Sequence, residues 1–266
     1  MVTIGKYITI HCIDNRYFKN IIAFILEYFD IKQNGDAIFI ISAELRNKSI
    51  NYFRELYPGK RLIVYNWEQM MDGNRYLDVY TIIENMREAD EIWDYDTLNA
   101  DYLKMFGVIV DKIVPFKYTE SIRVITNKDN PEIDVLIYGC MTEHRLDKLK
   151  MIYPDLYHEY SVVTTANLPI KTQYKYIANS KIILNLHGMH PYNRQEQERI
   201  AFCLINEKCV LSEPSQINYF GNAIIESDVS GIAGKIKELL MGDQWKDMAK
   251  RGFETFKALR NDESEK

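Results

Sequence analysis

Between residues 182 and 199 the chain reads IILNLHGMHPYNRQEQER, an apolar run followed by two histidines, two glutamates and two arginines. His187 and His190 carry metal-ligating atoms. Glu196 and Arg199, three apart on an expected helix, share a face and suit either a solvated ion pair or a carboxylate and guanidinium holding a ribose and a phosphate. No cysteine or carboxylate pattern nearby completes a zinc set, so the histidines read as loop residues available to a sugar or phosphate. A second group stands at DVLIYGCMTEHR, where Gly139 permits close backbone approach and Arg145 lies near a helix N-terminus, a combination that favours an anion. A third is Ser212-Glu213, at the end of KCVLSE.

Proton acceptors are expected in the first half of the chain. His11 and Asp14 follow YITIHCI, and Glu68 follows RLIVYN. Each also has a plain structural use, as a core histidine, a helix N-cap and a surface carboxylate respectively. Asp94-Tyr95-Asp96 spells a D-x-D of the kind that holds a divalent cation on a diphosphate, but three common residues arise together by chance. The expectation is chemistry without a required metal.

Short apolar runs alternating with helical patterns must position these groups. YITIHCI, AIFIIS, RLIVYN, EIWDYD and KIVPF are separated by helices expected near 17–28, 50–56, 76–87 and 100–106. After RVITNKDNPEI, a linker by composition, the alternation restarts with DVLIYG, YSVVTT, KIILNLH, KCVLSE and AIIES, with helices near 144–152, 171–179 and 195–205. Consecutive apolar positions imply strands covered on both faces, hence parallel α/β sheets. The expected fold class is α/β, two doubly wound lobes at 1–121 and 133–266 facing a central cleft, with the C-terminal helix crossing back to brace the first. Ligands of such sheets lie beyond the carboxyl ends of the strands, where the residues above fall.

The chain has 266 residues, enough for two such lobes, and a net charge of −5, which argues against coating nucleic acid or anionic membrane by charge alone. Basic pieces such as Arg46-Asn47-Lys48 and Lys60-Arg61 leave room for a local groove. No apolar run is long enough to span a bilayer and no export signal is evident, so no stable membrane association and a cytoplasmic location are expected. Cys12, Cys140, Cys203 and Cys209 form no CxxC pair and read as reduced core residues.

Taken together, DVLIYGCMTEHR and NSKIILNLHGMHPYNRQEQERIAFCLINEKCVLSE resemble the nucleotide-sugar-binding lobe of small GT-B glycosyltransferases. IVYNWEQM, EIWDYDTLN and IVPFKY resemble their first lobe, so the likeness covers roughly residues 60–215. The resemblance implies two Rossmann-like lobes, a nucleotide diphosphate sugar, by preference a UDP-sugar, held mainly by the C-terminal lobe, and an acceptor over the N-terminal one. It places Gly139 and Arg145 near the diphosphate, Glu196 and Arg199 along the nucleotide or sugar pocket, and Ser212 and Glu213 at its floor. The chain departs from many relatives in having Asn206, not a glutamate, eight residues after Glu198. A saccharide or small-molecule hydroxyl is the expected acceptor. Hydroxymethylated pyrimidines in duplex DNA, modified by some bacteriophage glycosyltransferases, are the alternative, and a two-lobed binding protein without chemistry is a third reading.

Overall fold

The computed structural model describes residues 2–4, 8–11, 15–28, 37–74, 78–188 and 194–259, with side chains described from residue 19 onward. Asp14 and His190 lie outside the described residues, as does the side chain of His11. The chain divides into two compact units, Met1–Phe116 and Lys117–Lys266.

Unit 1 runs β1 (Val2–Ile4), β2 (Ile8–His11), α1 (Asn15–Tyr28), β3 (Ala37–Ile41), α2 (Ile50–Leu56), β4 (Arg61–Asn66), α3 (Val79–Met86), β5 (Glu91–Asp94), α4 (Thr97–Met105) and β6 (Lys112–Ile113). The strands lie in sequence order across one sheet, antiparallel between β1 and β2 and parallel thereafter. Alternate residues explain the unbroken apolar runs. Ile38, Ile40, Leu62, Val64 and Ile92 join a core with Phe53, Ile82, Ile83, Met86 and Leu103 of α2, α3 and α4. Phe39, Tyr65 and Trp93 meet ring to ring on the opposite alternation, where Trp67, Phe24 and Phe116 extend the cluster. Carboxylates set the helix starts: Asp78 accepts from the Thr81 amide and Asp96 from the Leu98 amide, so α3 begins at Val79 and α4 at Thr97.

Unit 2 runs β7 (Ile133–Tyr138), α5 (Glu143–Ile152), β8 (Val162–Thr165), α6 (Ile170–Ala178), β9 (Ser180–Asn185), α7 (Gln197–Ile205), β10 (Cys209–Ser212), β11 (Ile225–Glu226), α8 (Val229–Leu240) and α9 (Gln244–Leu259). Its parallel sheet has the order β11-β10-β9-β7-β8. The chain therefore steps one way from β7 to β8 and the other way to β9. In open parallel sheets such a reversal is where ligands are accommodated, beyond the carboxyl ends of the strands, here β7 and β9.

The division falls at 116/117, not within 121–133, because the connecting segment is pinned to unit 2. Tyr118 packs edge-on against Phe253 of α9 at 5.7 Å. Asn206 accepts from the amides of Val124 and Ile125, both at 2.8 Å, and donates to the Ile122 carbonyl at 3.0 Å. The residue that departs from the glutamate pattern thus anchors the connector. α9 packs on α7, β10 and α8 of its own unit. Cys203 and Cys209 are buried thiols, each pushed up to about 12 by burial. Cys140 corrects the core reading: it is exposed, because it sits in the turn after β7 and not in the strand. No described helix is long and apolar enough to cross a membrane.

Candidate functional site

The carboxyl ends of three strands of unit 2, β7, β9 and β10, gather the candidate residues. After β7 the chain turns at Gly139 with φ of +115°, a conformation that L side chains rarely adopt. A Cβ there would stand 2.5 Å from Nη2 of Arg199, so the missing side chain makes room for a guanidinium. Thr142 caps α5 by accepting from the Arg145 amide at 3.2 Å, and its hydroxyl donates to the Gly188 carbonyl at 2.7 Å, joining this turn to the loop after β9.

Arg145 is only 4% exposed. Its Nε donates to the Leu186 carbonyl at 2.7 Å, Nη1 to the Cys140 carbonyl at 2.5 Å and Nη2 to Glu196 Oε1 at 2.8 Å. Burial lowers its pKa, with Arg199 nearby adding to the effect and Glu196 opposing it. A guanidinium used this way is a frame for the loops, which differs from the diphosphate contact expected of it.

Glu196 precedes α7, with φ −76° and ψ 71°, and does not share a helical face with Arg199. The expected i,i+3 pair is replaced by longer-range ones. Besides Arg145, Glu196 Oε2 accepts from Asn185 Nδ2 at 2.9 Å and lies 3.2 Å from His187 Nδ1. Burial alone would raise the carboxyl's pKa, but His187, Arg145 and Arg199 hold it well below the usual range. His187 is 1% exposed and its Nε2 lies 3.1 Å from the Pro214 carbonyl. It holds loops together and is not open to a sugar or phosphate. Its backbone N–H donates to Glu213, whose carboxylate also pairs with Lys148 at 2.7 Å. Ser212 is buried and accepts from Asn185 Nδ2 at 3.0 Å.

Arg199 is the exception in this cluster. Nη1 donates to Asn185 Oδ1 at 3.1 Å, and the guanidinium lies 5.5 Å from the centre of the Tyr138 ring. Among the described residues no carboxylate lies within ion-pairing distance of it, and Nε and Nη2 have no hydrogen-bond acceptor. It is half-buried at the strand reversal, with donors to spare. Asn185, Lys148 and Tyr138 escaped the sequence reading. The one signal for them was a polar Asn inside the apolar run IILNL.

The strand ends of unit 1 differ. Asp94 is fully buried and accepts from Asn66 at 2.6 Å, from Asn99 at 2.9 Å and from the Asp96 amide at 2.8 Å. Burial pushes its pKa up to about 8, the three donors opposing. Both carboxylates of the D-x-D are occupied in this way, Asp96 as the cap of α4. Among the described residues no group of three His, Cys, Asp or Glu side chains forms a metal cluster. Trp67 and Tyr95 stack at 5.3 Å just after β4 and β5. Glu68 pairs with Arg46 at 3.1 Å, and burial raises its pKa against that guanidinium.

Two α/β units, with sheets parallel but for the β1–β2 pair, have the fold of GT-B type. No family model and no curated protein matches the chain. Solved structures do. TarM superposes with a TM-score of 0.58 at 11% identity over 83% of this chain, which spans 51% of TarM, about half its length. HepE of Anabaena in complex with UDP gives 0.56 at 8% identity, covering 86% of this chain and 74% of that one. The T4 phage β-glucosyltransferase gives 0.52 at 14% identity over 97% of this chain and 96% of the other. At these identities the likeness is one of fold.

Proposed function

We propose that the protein is a glycosyltransferase that moves a sugar from a UDP-sugar onto an acceptor hydroxyl. The observation that carries this is Arg199: a cation without a carboxylate partner, facing the turn at Gly139, at the place in the unit where the strand order reverses. A diphosphate leaving group gains negative charge as the glycosidic bond breaks, and a preorganised guanidinium with free donors stabilises that charge. Glu196 and Asn185 orient Arg199, Arg145 braces the loops, and Glu213 with Lys148 closes the wall. A UDP complex of a structure with the same fold supports the choice of nucleotide.

Of the three first-unit candidates, Glu68 is the one with a described side chain. Its raised pKa and partial exposure suit a proton acceptor for the acceptor hydroxyl. A saccharide acceptor is favoured over duplex DNA, because Arg46, Lys48 and Arg61 are each paired with a carboxylate. The near-complete mutual coverage with a phage β-glucosyltransferase keeps the DNA acceptor as the second reading. The test is transfer of label from UDP-[14C]glucose and other UDP-sugars, with and without EDTA, to saccharides and to hydroxymethylated DNA. Label reaching either acceptor supports the enzyme. Binding with no loss of sugar to acceptor or water leaves a binding protein and ends this reading.

A further inference from the structure

His187 has an acceptor at each ring nitrogen, Glu196 Oε2 at Nδ1 and the Pro214 carbonyl at Nε2. A neutral imidazole carries one N–H, so one of these contacts would set a lone pair against an oxygen; only the imidazolium donates to both. The proton belongs on the ring and not on the carboxylate, since Glu196 also faces donors from Arg145 and Asn185.

We infer that His187 is a positioning residue whose imidazolium engages Glu196 and thereby keeps Arg199 open to the donor diphosphate. Glu196 Oε2 bonds His187 and Asn185 together, and Asn185 Oδ1 holds Arg199 Nη1. The link from ring to Arg199 is thus two side chains long. Were the ring neutral, the carboxylate would lose a cationic partner and the nearest unpaired one is Arg199, whose charge it would then neutralise. The same deprotonation removes the donor to Pro214, and with it one tie on the loop after β10.

The charged groups around the ring pull in opposite senses, and the carboxylates prevail. Glu196 ahead of α7 and Glu213 after β10 favour the proton, while Lys148 of α5 offsets Glu213 and Arg145 of α5 and Arg199 of α7 offset Glu196. Burial lowers the ring's pKa, but the hydrogen bond and charge of Glu196, the charge of Glu213 and the Pro214 carbonyl leave it raised above the ordinary 6.5. The contribution to stability is therefore complete below that ordinary value and is lost as pH rises through the raised one.

This inference rests on the donor-binding reading of Arg199, and the experiment separates the two. In the wild-type protein, 15N chemical shifts of the imidazoles, with the His187 signal assigned by its loss in His187→Gln, should show both ring nitrogens protonated at pH 6. UDP-glucose affinity, measured by calorimetry, should weaken about tenfold as pH rises through the ring's titration, the change that one unit of linked pKa carries. His187→Gln should bind about tenfold more weakly at pH 6, without pH dependence, and, because Arg199 also stabilises the leaving diphosphate, lower kcat as well as raise KM. A ring that is neutral at pH 6, or wild-type affinity independent of pH, overturns the inference; so does a folded His187→Gln that binds like wild type. If that variant does not fold, His187→Asn supplies the assignment and the pH dependence of wild-type affinity decides. Failure of UDP-glucose to bind wild type at any pH removes the donor reading instead, and the ring signal still decides the protonation.

Discussion

The strand ends of the two units solve the same problem with different chemistry. In unit 1 the turns after β4 and β5 are held by neutral amides around one buried carboxyl, Asp94, and by stacked aromatic rings. In unit 2 they are held by ions: Arg145 and Lys148 against Glu196 and Glu213, with Arg199 in excess. Buried ions are a poor source of stability, since desolvation offsets much of their attraction, but their loops end with a surplus charge fixed in position. The amide-held end is closed upon itself, whereas the ionic end has capacity left for an anion.

The largest expected effect breaks the ionic frame. Arg145→Ala leaves Glu196 without its guanidinium and the Leu186 and Cys140 carbonyls without their donor, so urea unfolding should show a loss of about 3–5 kcal/mol. Arg199→Ala should do the opposite. With one hydrogen bond to lose, its melting temperature should stay near wild type, while UDP-glucose affinity falls on the order of a hundredfold, the loss of one or two charge-assisted hydrogen bonds. A melting temperature that collapses would make Arg199 part of the frame and remove the contrast.

Gly139→Ala sharpens the comparison at lower amplitude. The new Cβ meets Arg199 Nη2 at 2.5 Å on a backbone with φ of +115°, so donor affinity should drop about tenfold, with ~1–3 kcal/mol of strain in unfolding. In unit 1, Asp94 binds its proton more tightly when folded, about 8 against an ordinary 3.8. Stability from this group is complete below pH 3.8 and is lost as pH rises toward 8, and Asp94→Asn should flatten that slope in a pH series of denaturation curves. The smallest effect is chemical: Cys140, exposed in the Gly139 turn, should alkylate faster than buried Cys203 and Cys209, and UDP-glucose should slow it. Equal rates with and without the nucleotide sugar would move the donor away from this turn.

Much of the fold was legible because it is local. The strand runs RLIVYN, IDVLIY and SKIILN are apolar on consecutive positions, and their two-faced burial follows from that alone. Helix starts were less legible. Asp78 and Asp96 carry ordinary carboxylates whose use as caps depends on the backbone angle at which the chain enters the helix. At the candidate site, spacing along the chain says where polar groups gather but not which of them pair. Glu196 and Arg199 were paired by helical spacing, yet the helix begins one residue after Glu196, and the carboxylate turns to residues 51 and nine positions away in the chain.

Two α/β lobes, the turn at Gly139 and the concentration of polar groups after β9 are legible in the chain alone, because periodicity and turn chemistry act over a few residues. Which cation is spent and which is free follows from contacts made across the folded sheet. The order β10-β9-β7 brings the ends of non-consecutive segments together, and there Arg145 sinks among carbonyls while Arg199 is left with donors to spare. Spacing along a chain cannot assign that choice, since it is made by desolvation and hydrogen-bond geometry across strands that are neighbours only after folding.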